Sequence, residues 1–116
     1  MRILCVDDDR LVLAVTADLL RSLGHDVVEA HGGREAASAI PDATIEILIT
    51  DIHMPGGPDG LELAQYARKV RPHLPIVYFS GRQDILPETL DGQLLRKPCS
   101  LGELQHAVDV YSNARA

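Results

Sequence analysis

The clearest structural signal in this chain is the segment Ile45-Glu-Ile-Leu-Ile-Thr-Asp51-Ile-His-Met-Pro55. Residues Ile45–Thr50 form a mostly apolar run, which is typical of a parallel strand that helices cover on both faces. Asp51 follows the run directly, and a segment rich in glycine and proline begins at Pro55, as in a turn. We therefore expect a buried strand that delivers an acidic side chain to one edge of a parallel sheet.

On both sides of this segment, the sequence alternates between apolar strands and amphipathic helices. Strands are predicted over Arg2–Val6, Asp26–Ala30, Ile45–Thr50, Ile76–Phe79 and Gln93–Arg96. Helices are predicted over Leu11–Leu23 (with Leu11, Val15, Leu19 and Leu23 along one face), Arg34–Ile40, Leu61–Val70 and, after a cap at Ser100, as far as Tyr111. The connection from Gly81 to Gln93 contains Pro87 and Gly92, so the fourth helix, between the fourth and fifth strands, is expected to be shortened or missing. The pattern predicts an α/β fold with one doubly wound parallel sheet.

Polar side chains follow the ends of these strands. Asp7 and Asp8 come after the first strand, Asp51 after the third, Ser80 after the fourth and Lys97 after the fifth. Because α/β sheets bind ligands beyond the carboxyl ends of their strands, we expect these side chains to form one pocket. Crowded carboxylates repel one another by about 4 kcal/mol per pair at a separation of about 4 Å, so the pocket needs cations. The lysine is one, and the oxygen ligands favour Mg²⁺ as the other.

The composition argues against several function classes. The 116 residues carry a formal net charge of −6 and no cluster of Lys and Arg, which argues against direct nucleic-acid binding. No apolar run approaches the roughly 18 residues of a membrane span, and no signal-peptide pattern opens the chain. Cys5 lies in a predicted strand and Cys99 begins the last helix, and both are expected to be reduced. These features predict a cytoplasmic protein that does not bind membranes.

Four short motifs occur in a fixed order along the chain: Val6-Asp7-Asp8, Asp51-x-x-Met54-Pro55 with Asp59-Gly60, Phe79-Ser80-Gly81 and Lys97-Pro98. In this order, each at a strand end, they resemble the receiver domain of bacterial two-component response regulators, over essentially the whole chain. The resemblance implies the flavodoxin-like (βα)5 fold with strand order 2-1-3-4-5. It also implies one receiver domain over residues 1–116, a signalling domain rather than an enzyme, either free-standing or part of a hybrid sensor kinase.

The resemblance assigns the acidic residues to phosphoryl transfer. Asp51 is implied to accept a phosphoryl group from the phosphohistidine of a histidine kinase or a histidine phosphotransfer protein. Asp8 and Asp51, with the backbone carbonyl of His53, are implied to ligate Mg²⁺, while Asp7 acts mainly through a metal-bound water. The chemistry agrees, because phosphoryl transfer depends chiefly on positioning and on positive charge around the transferred group.

Ser80 and Lys97 are implied to hold the transferred group, Ser80 through its hydroxyl and Lys97 through its charge. Leu94 stands three residues before Lys97, at a position where the family often has an aromatic side chain that reports phosphorylation. With this substitution and a curtailed fourth helix, the usual dimer lacks both its surface and its trigger. We therefore expect a monomer that signals through the loop after Ser80 or through the face of the first helix.

Two other interpretations remain open. Asp7 and Asp9 spell the Asp-x-Asp of aspartate-nucleophile phosphatases, although the Gly-Thr that follows in those enzymes is missing. A pseudo-receiver that binds partners without being phosphorylated is the other alternative, and the filled set of charged pocket positions argues against it. Within the receiver interpretation, we expect Asp9 to be solvated or to lie near the start of the first helix, where negative charge is favoured, and the imidazole of His53 to lie at the rim of the pocket.

Overall fold

The computed structural model describes residues 1–81, 92–97 and 100–115, with side chains described as far as Tyr111. The expected fourth helix and Cys99 therefore lie outside the described residues. Strands are β1 (Arg2–Val6), β2 (Asp26–Ala30), β3 (Ile47–Asp51), β4 (Ile76–Ser80) and β5 (Gln93–Arg96). Helices are α1 (Arg10–Ser22), α2 (Gly33–Ala39), α3 (Gly60–Val70) and α4 (Leu101–Arg115). In this described part of the chain, no helix combines the length and the apolar character needed to cross a membrane.

The five strands form one parallel sheet in the order β2-β1-β3-β4-β5, which confirms the predicted topology. The register pairs Val6 with Thr50, Asp51 with Phe79, and Ser80 with Arg96. The carboxyl ends of the four strands β1, β3, β4 and β5 therefore finish at nearly the same level. This alignment brings together residues that lie far apart in the sequence.

Helices cover both faces of the sheet. On one face α2 and α3 pack on alternate strand residues such as Leu4 and Leu48, and on the other face α1 and α4 pack on residues such as Ile3 and Ile49. Every residue of β3 is buried, as expected for a central strand of a doubly covered parallel sheet. The site at the end of β3 therefore rests on a strand that is buried at every residue, as β4 is.

The buried face of α1 differs from the face that the sequence pattern suggested. Leu13, Ala17 and Leu20 are buried, whereas Leu11 and Val15 are 74% and 52% exposed. Apolar residues occupy almost the whole circumference of this helix, so their spacing alone does not identify the side that faces the core. The outward pair leaves an apolar surface beside the end of the sheet.

Most other boundaries differ from the predicted ones by one or two residues, within the usual uncertainty of element ends, whereas α4 ends at Arg115, four residues beyond the predicted Tyr111. The clearest case is β3, which begins at Ile47 rather than Ile45. The amide of Ile45 donates to the carbonyl of Asp42, and the Arg71 guanidinium donates to the carbonyls of Asp42 and Ile45 at 3.0 and 2.5 Å. These bonds hold Ile45 in a turn. The predicted cap of the last helix is confirmed, because Ser100 Oγ accepts from the amide of Glu103 at 3.1 Å.

His25 gives the fold a defined pH dependence. Its Nδ1 lies 3.1 Å from the N-terminal amine of Met1. Burial lowers the pKa of His25, and the positive amine adds to this shift against the opposing charges of Asp109 and Glu46. Because the folded-state pKa lies below the unfolded value of about 6.5, the unfolded chain binds more protons as the pH falls through this range.

We therefore expect the free energy of unfolding to fall as the pH is lowered from about 7.5 to about 5.5, and the decrease to be modest because the ring is partly solvated. Urea denaturation of the wild type and His25→Asn at both pH values measures the effect. The variant should lose less stability than the wild type. Equal losses would show that His25 does not contribute to the pH dependence.

Candidate functional site

The predicted site residues meet at the carboxyl edge of the sheet. A cavity of about 410 Å³ is lined by Asp7, Asp8, Asp9, Asp51, His53, Gly81 and Lys97. Ser80, the last residue of β4, is fully buried, and its neighbour Gly81 contributes to the cavity wall instead. The carbonyl of Ser80 accepts a hydrogen bond from the amide of Lys97 at 2.8 Å, which ties the ends of β4 and β5 together. The structure thus brings the predicted set together, with the Ser80 side chain enclosed behind it.

Three carboxylates of the cavity could share one cation. Asp7, Asp8 and Asp51 each offer an oxygen, and these oxygens lie within 4.8 Å of one another. Asp7 and Asp51 are buried, whereas Asp8 is exposed and gives the group an open side. A donor set made of carboxylate oxygens suits a hard divalent cation such as Mg²⁺.

Each oxygen of Asp7 has a partner. Oδ1 accepts the amide of Asp9 at 2.9 Å, and Oδ2 accepts Lys97 Nζ at 2.7 Å. Asp9 in turn caps α1, since its side chain accepts from the amides of Leu11 and Val12. The expectation that Asp9 lies at the helix start is confirmed. Asp9 therefore caps α1, and Asp7 links the start of that helix to Lys97, the residue after β5.

Asp51 is held more loosely than Asp7. Its Oδ1 accepts the amide of His53 at 3.4 Å, and its Oδ2 lies 3.4 Å from Lys97 Nζ. Burial raises the pKa of Asp51, the charge of Lys97 opposes this shift, and the charge of Asp7 adds to it. Burial alone would lower the pKa of Lys97, but its hydrogen bond to Asp7 and the charges of both carboxylates raise it overall. Lys97 thus stays charged, and an additional cation would stabilise the charged form of Asp51.

The backbone of Asp51 is fixed by a contact that the sequence pattern did not reveal. The amide of Gly60, the first residue of α3, donates to the carbonyl of Ile52 at 2.8 Å. A Cβ at Gly60 would lie 2.2 Å from the carbonyl oxygen of Asp51, so only glycine fits there. Asp59 caps α3 through a capping box with Glu62, which holds the helix at this distance. The Asp59-Gly60 motif was noted in the sequence, but it did not predict the contact between Gly60 and the carbonyl of Asp51.

A second cavity adjoins the acidic one. This groove of about 500 Å³, which we call the α1 groove, is lined by Leu11, Val12, Val15, Thr16, Leu19, Phe79, Gly81, Lys97 and Leu104. Lys97 and Gly81 also line the acidic cavity. The outward apolar residues of α1 therefore lead directly to the site.

The remaining candidates take secondary positions. His53 is exposed at the rim of the cavity, as expected, and the ligand role of its carbonyl stays a prediction. Cys5 is a free, buried thiol, and burial raises its pKa to about 12, with the charge of Asp7 contributing less. A thiol with such a pKa is a poor nucleophile at neutral pH. Among the described residues, the acidic cavity is therefore a stronger candidate site than Cys5.

Comparisons with known proteins agree with this geometry. The chain is similar to the autoinducer 1 sensor kinase/phosphatase LuxN of Vibrio campbellii, with 28% identity over 96% of this chain and 13% of the kinase. It is similar to the response regulator MprA of Mycobacterium avium, with 40% identity over 90% of this chain and 47% of that protein. The crystal structure of the receiver domain of the hybrid histidine kinase CckA superposes with a TM-score of 0.82 and 34% identity, over 96% of this chain and 98% of that domain.

The chain thus spans about an eighth of the LuxN kinase and about half of MprA. The sequence profile of the response regulator receiver domain matches residues 3–109, from β1 into α4. That range includes both cavities and every strand of the sheet. The chain belongs to the response regulator receiver domain family of two-component systems.

Proposed function

We propose that this chain is a phosphoryl-accepting receiver over residues 1–116, and that Asp51 takes a phosphoryl group from the phosphohistidine of a histidine kinase or phosphotransfer protein. The observation that carries the proposal is the position of Asp51. It ends a fully buried strand, its oxygen lies within 4.8 Å of oxygens of two other carboxylates, and Lys97 is 3.4 Å away. This arrangement places a nucleophile among groups that can balance phosphoryl charge.

In the proposed reaction a carboxylate oxygen of Asp51 attacks phosphorus. The new P–O bond forms as the P–N bond of phosphohistidine breaks, and the imidazole nitrogen leaves with the electron pair of that bond. Mg²⁺, held by Asp8, Asp51 and the carbonyl of His53, with Asp7 acting through water, would supply positive charge to the phosphoryl oxygens. Lys97 supplies further positive charge on the side of β5.

Phosphorylation would be sensed through Ser80. Its hydroxyl would donate to a phosphoryl oxygen, which requires the fully buried side chain to turn toward the cavity. The backbone bond from Lys97 to the carbonyl of Ser80 transmits such a movement to the end of β5. Gly81 follows Ser80 and lines both the acidic cavity and the α1 groove. A change at Asp51 would therefore reach the apolar groove over a short path.

The α1 groove is the proposed docking surface for the phosphodonor. Leu11 and Val15 are exposed apolar side chains on a helix, and they lie at the mouth of a groove that ends at Lys97. An apolar helix face that carries a phosphohistidine could cover them and present its phosphoryl group to the adjoining cavity. The similarity to the receiver domain of a hybrid histidine kinase supports this class of partner. Such an encounter would occur in the cytoplasm.

The docking surface is tested by Val15→Lys. The side chain is exposed, so the fold should tolerate lysine, but a charge in an apolar interface should slow transfer from a cognate kinase by about tenfold or more. Uptake from a small phosphodonor such as acetyl phosphate should not change. Val70→Lys is the matched control, because Val70 is an exposed valine on α3, on the other face of the sheet. Equal rates for both variants with the kinase would refute the docking surface.

The receiver function itself is tested by phosphoryl uptake. The purified chain should gain one acid-stable, base-labile phosphoryl group from acetyl phosphate and Mg²⁺, as measured by intact mass spectrometry. A panel of purified histidine kinases would then identify the donor. An absence of uptake from every donor would favour the pseudo-receiver, and steady hydrolysis of a phosphate monoester would favour the phosphatase.

We also propose that the chain remains a monomer on phosphorylation. Position 94 holds a leucine, which has no phenolic hydroxyl to report the state of Ser80. The Leu94 side chain is partly buried and packs against the core beneath α2 and α3. Light scattering should give the same mass with and without beryllofluoride, a mimic of the phosphoryl group. A mimic-dependent dimer that substitutions at Gln105 or Asp109 on α4 disrupt would contradict this expectation.

A further inference from the structure

Thr50 is a buried polar residue to which the proposed function gives no role. In the described part of the chain, four buried residues carry an aliphatic hydroxyl or a carboxylate, namely Asp7, Thr50, Asp51 and Ser80. The proposed function assigns roles to the other three. Thr50 lies in β3 directly before Asp51 and is 0% exposed. All four residues therefore lie at the carboxyl end of the sheet, where the site is.

An apolar side chain would suit the surroundings of Thr50 better than a hydroxyl does. Because side chains alternate along a strand, Thr50 shares a face of β3 with Leu48, which belongs to the apolar core under α2 and α3. Valine has nearly the shape of threonine and would bring no polar atom into this core. A buried hydroxyl costs free energy unless it makes a hydrogen bond. Here it makes one, because Thr50 Oγ1 donates to the carbonyl oxygen of Asp51 at 2.9 Å.

The same carbonyl oxygen is the one that α3 approaches. A Cβ at Gly60 would lie 2.2 Å from this oxygen and 2.8 Å from the Cα of Ile52. Packing this close leaves no room for a water molecule between Gly60 and the oxygen, so on this side a hydrogen bond has to come from the chain itself. Thr50 supplies that bond from within β3.

Two consecutive peptide groups after Asp51 are thereby bonded at both ends. In the first, the carbonyl of Asp51 accepts from Thr50, and the amide of Ile52 donates to a carbonyl of β4 at 3.0 Å. In the second, the carbonyl of Ile52 accepts from the first amide of α3 at 2.8 Å, and the amide of His53 donates to Asp51 Oδ1 at 3.4 Å. A rotation of the first peptide group would displace the second, and with it the amide that contacts the Asp51 carboxylate.

We infer that Thr50 is a positioning residue of the site, whose hydroxyl fixes the peptide group after Asp51 and so sets how the Asp51 carboxylate faces the acidic cavity. This inference rests on the proposed function, in which Asp51 is the nucleophile. Thr50 acts through the backbone, since it is not among the residues that line the cavity. A nucleophile that is misplaced by about 1 Å can react roughly 100-fold more slowly, so a smaller displacement still matters for the rate.

Removal of the hydroxyl tests this role. Thr50→Val should slow phosphoryl uptake from acetyl phosphate at saturating Mg²⁺ by about tenfold, because the nucleophile is retained but less well placed. Thr50→Ser keeps the hydroxyl and should stay within about twofold of the wild type. Ile47→Val is the matched control, since it trims a fully buried residue at the other end of β3 and should keep the wild-type rate. Wild-type uptake by Thr50→Val would overturn the inference, as would an equal slowdown in Thr50→Ser or Ile47→Val.

Amide hydrogen exchange measures the backbone without phosphodonor or metal. The amides of Ile52 and Gly60, which bond β4 and the carbonyl of Ile52, should exchange about tenfold faster in Thr50→Val than in the wild type or Thr50→Ser. The amide of Leu48, which donates to the carbonyl of Pro75 at 3.0 Å, is the reference and should not change. Unchanged exchange at Ile52 and Gly60 would refute the positioning role. An equal acceleration at Leu48 would refute it too, because it would show general destabilisation of the fold.

The uptake assay also separates this inference from the proposed function. A wild type that accepts no phosphoryl group from any donor would overturn the proposed function and, with it, the role of Thr50. Normal uptake by the wild type and by Thr50→Val alike would overturn the role of Thr50 alone.

Discussion

Asp51→Asn should take up no phosphoryl group from acetyl phosphate or from any histidine kinase that phosphorylates the wild type. The variant keeps the shape of the side chain but replaces the nucleophilic oxygen with an amide. Loss of a nucleophile typically lowers turnover by roughly 10³-fold or more, which places the product below detection in this assay. Intact mass spectrometry after incubation with Mg²⁺ and phosphodonor measures the result.

The loss should not arise from unfolding. Burial raises the pKa of Asp51, so the buried carboxylate is a cost to the folded state that the amide removes. The variant should therefore melt no lower than the wild type. Asp26→Asn, an exposed change at the start of β2, is the matched control and should keep full uptake. Uptake that persisted at wild-type level in Asp51→Asn would move the acceptor to another carboxylate, of which the exposed Asp8 is the first candidate.

Mg²⁺ should stabilise the wild-type chain. Asp7, Asp8 and Asp51 offer oxygens within 4.8 Å of one another and repel in the absence of a metal. A ligand at about 100 times its dissociation constant adds about 2.7 kcal/mol to the free energy of unfolding. At roughly 4 °C per kcal/mol for a domain of this size, the melting temperature should rise by about 10 °C. Differential scanning calorimetry with and without MgCl₂ measures this rise.

Substitutions of Asp8 and Asp9 serve as controls for the effect of Mg²⁺ on stability. Asp8→Asn should remove most of the response, because it takes away the exposed ligand of the site. Asp9→Asn should leave the response intact, since asparagine caps helices as well as aspartate and the Asp9 side chain is already bonded to α1. A melting temperature that Mg²⁺ does not change in the wild type would contradict the metal site. A response lost in Asp9→Asn would assign this residue to the metal instead of the helix.

The meeting of the polar residues could be predicted because the strands of the sheet are parallel, and the strand order was implied by the resemblance to receiver domains. Parallel strands that run in one sheet end at one edge, so Asp51 and Lys97 had to approach each other once their strands were recognised. The motifs gave the order of the strands. The place of Asp9 near the start of α1 was expected, but its side-chain hydrogen bonds to the amides of Leu11 and Val12 were not.

Properties that depend on side-chain distances could not be read from the sequence. Lys97 Nζ lies 2.7 Å from Asp7 Oδ2 but 3.4 Å from Asp51 Oδ2, a difference that depends on the positions of side chains at the ends of three separate strands. The approach of Gly60 to the carbonyl of Asp51 depends on where α3 docks. The sequence pattern placed Leu11 and Val15 on one apolar face of the first helix, but it did not show that this pair is exposed to solvent. In each case the sequence identified the residue but not its surroundings in the folded chain.

The wall that the two cavities share makes this receiver open to chemical inhibition. A drug-sized compound that filled the 500 Å³ groove beside α1 would also contact Lys97 and Gly81, which form the side of the acidic cavity. Such a compound would compete with the phosphodonor protein and at the same time restrain the lysine. It would therefore slow phosphorylation even by acetyl phosphate, which needs no docking surface, and this property would distinguish it from a compound that only blocks protein contact.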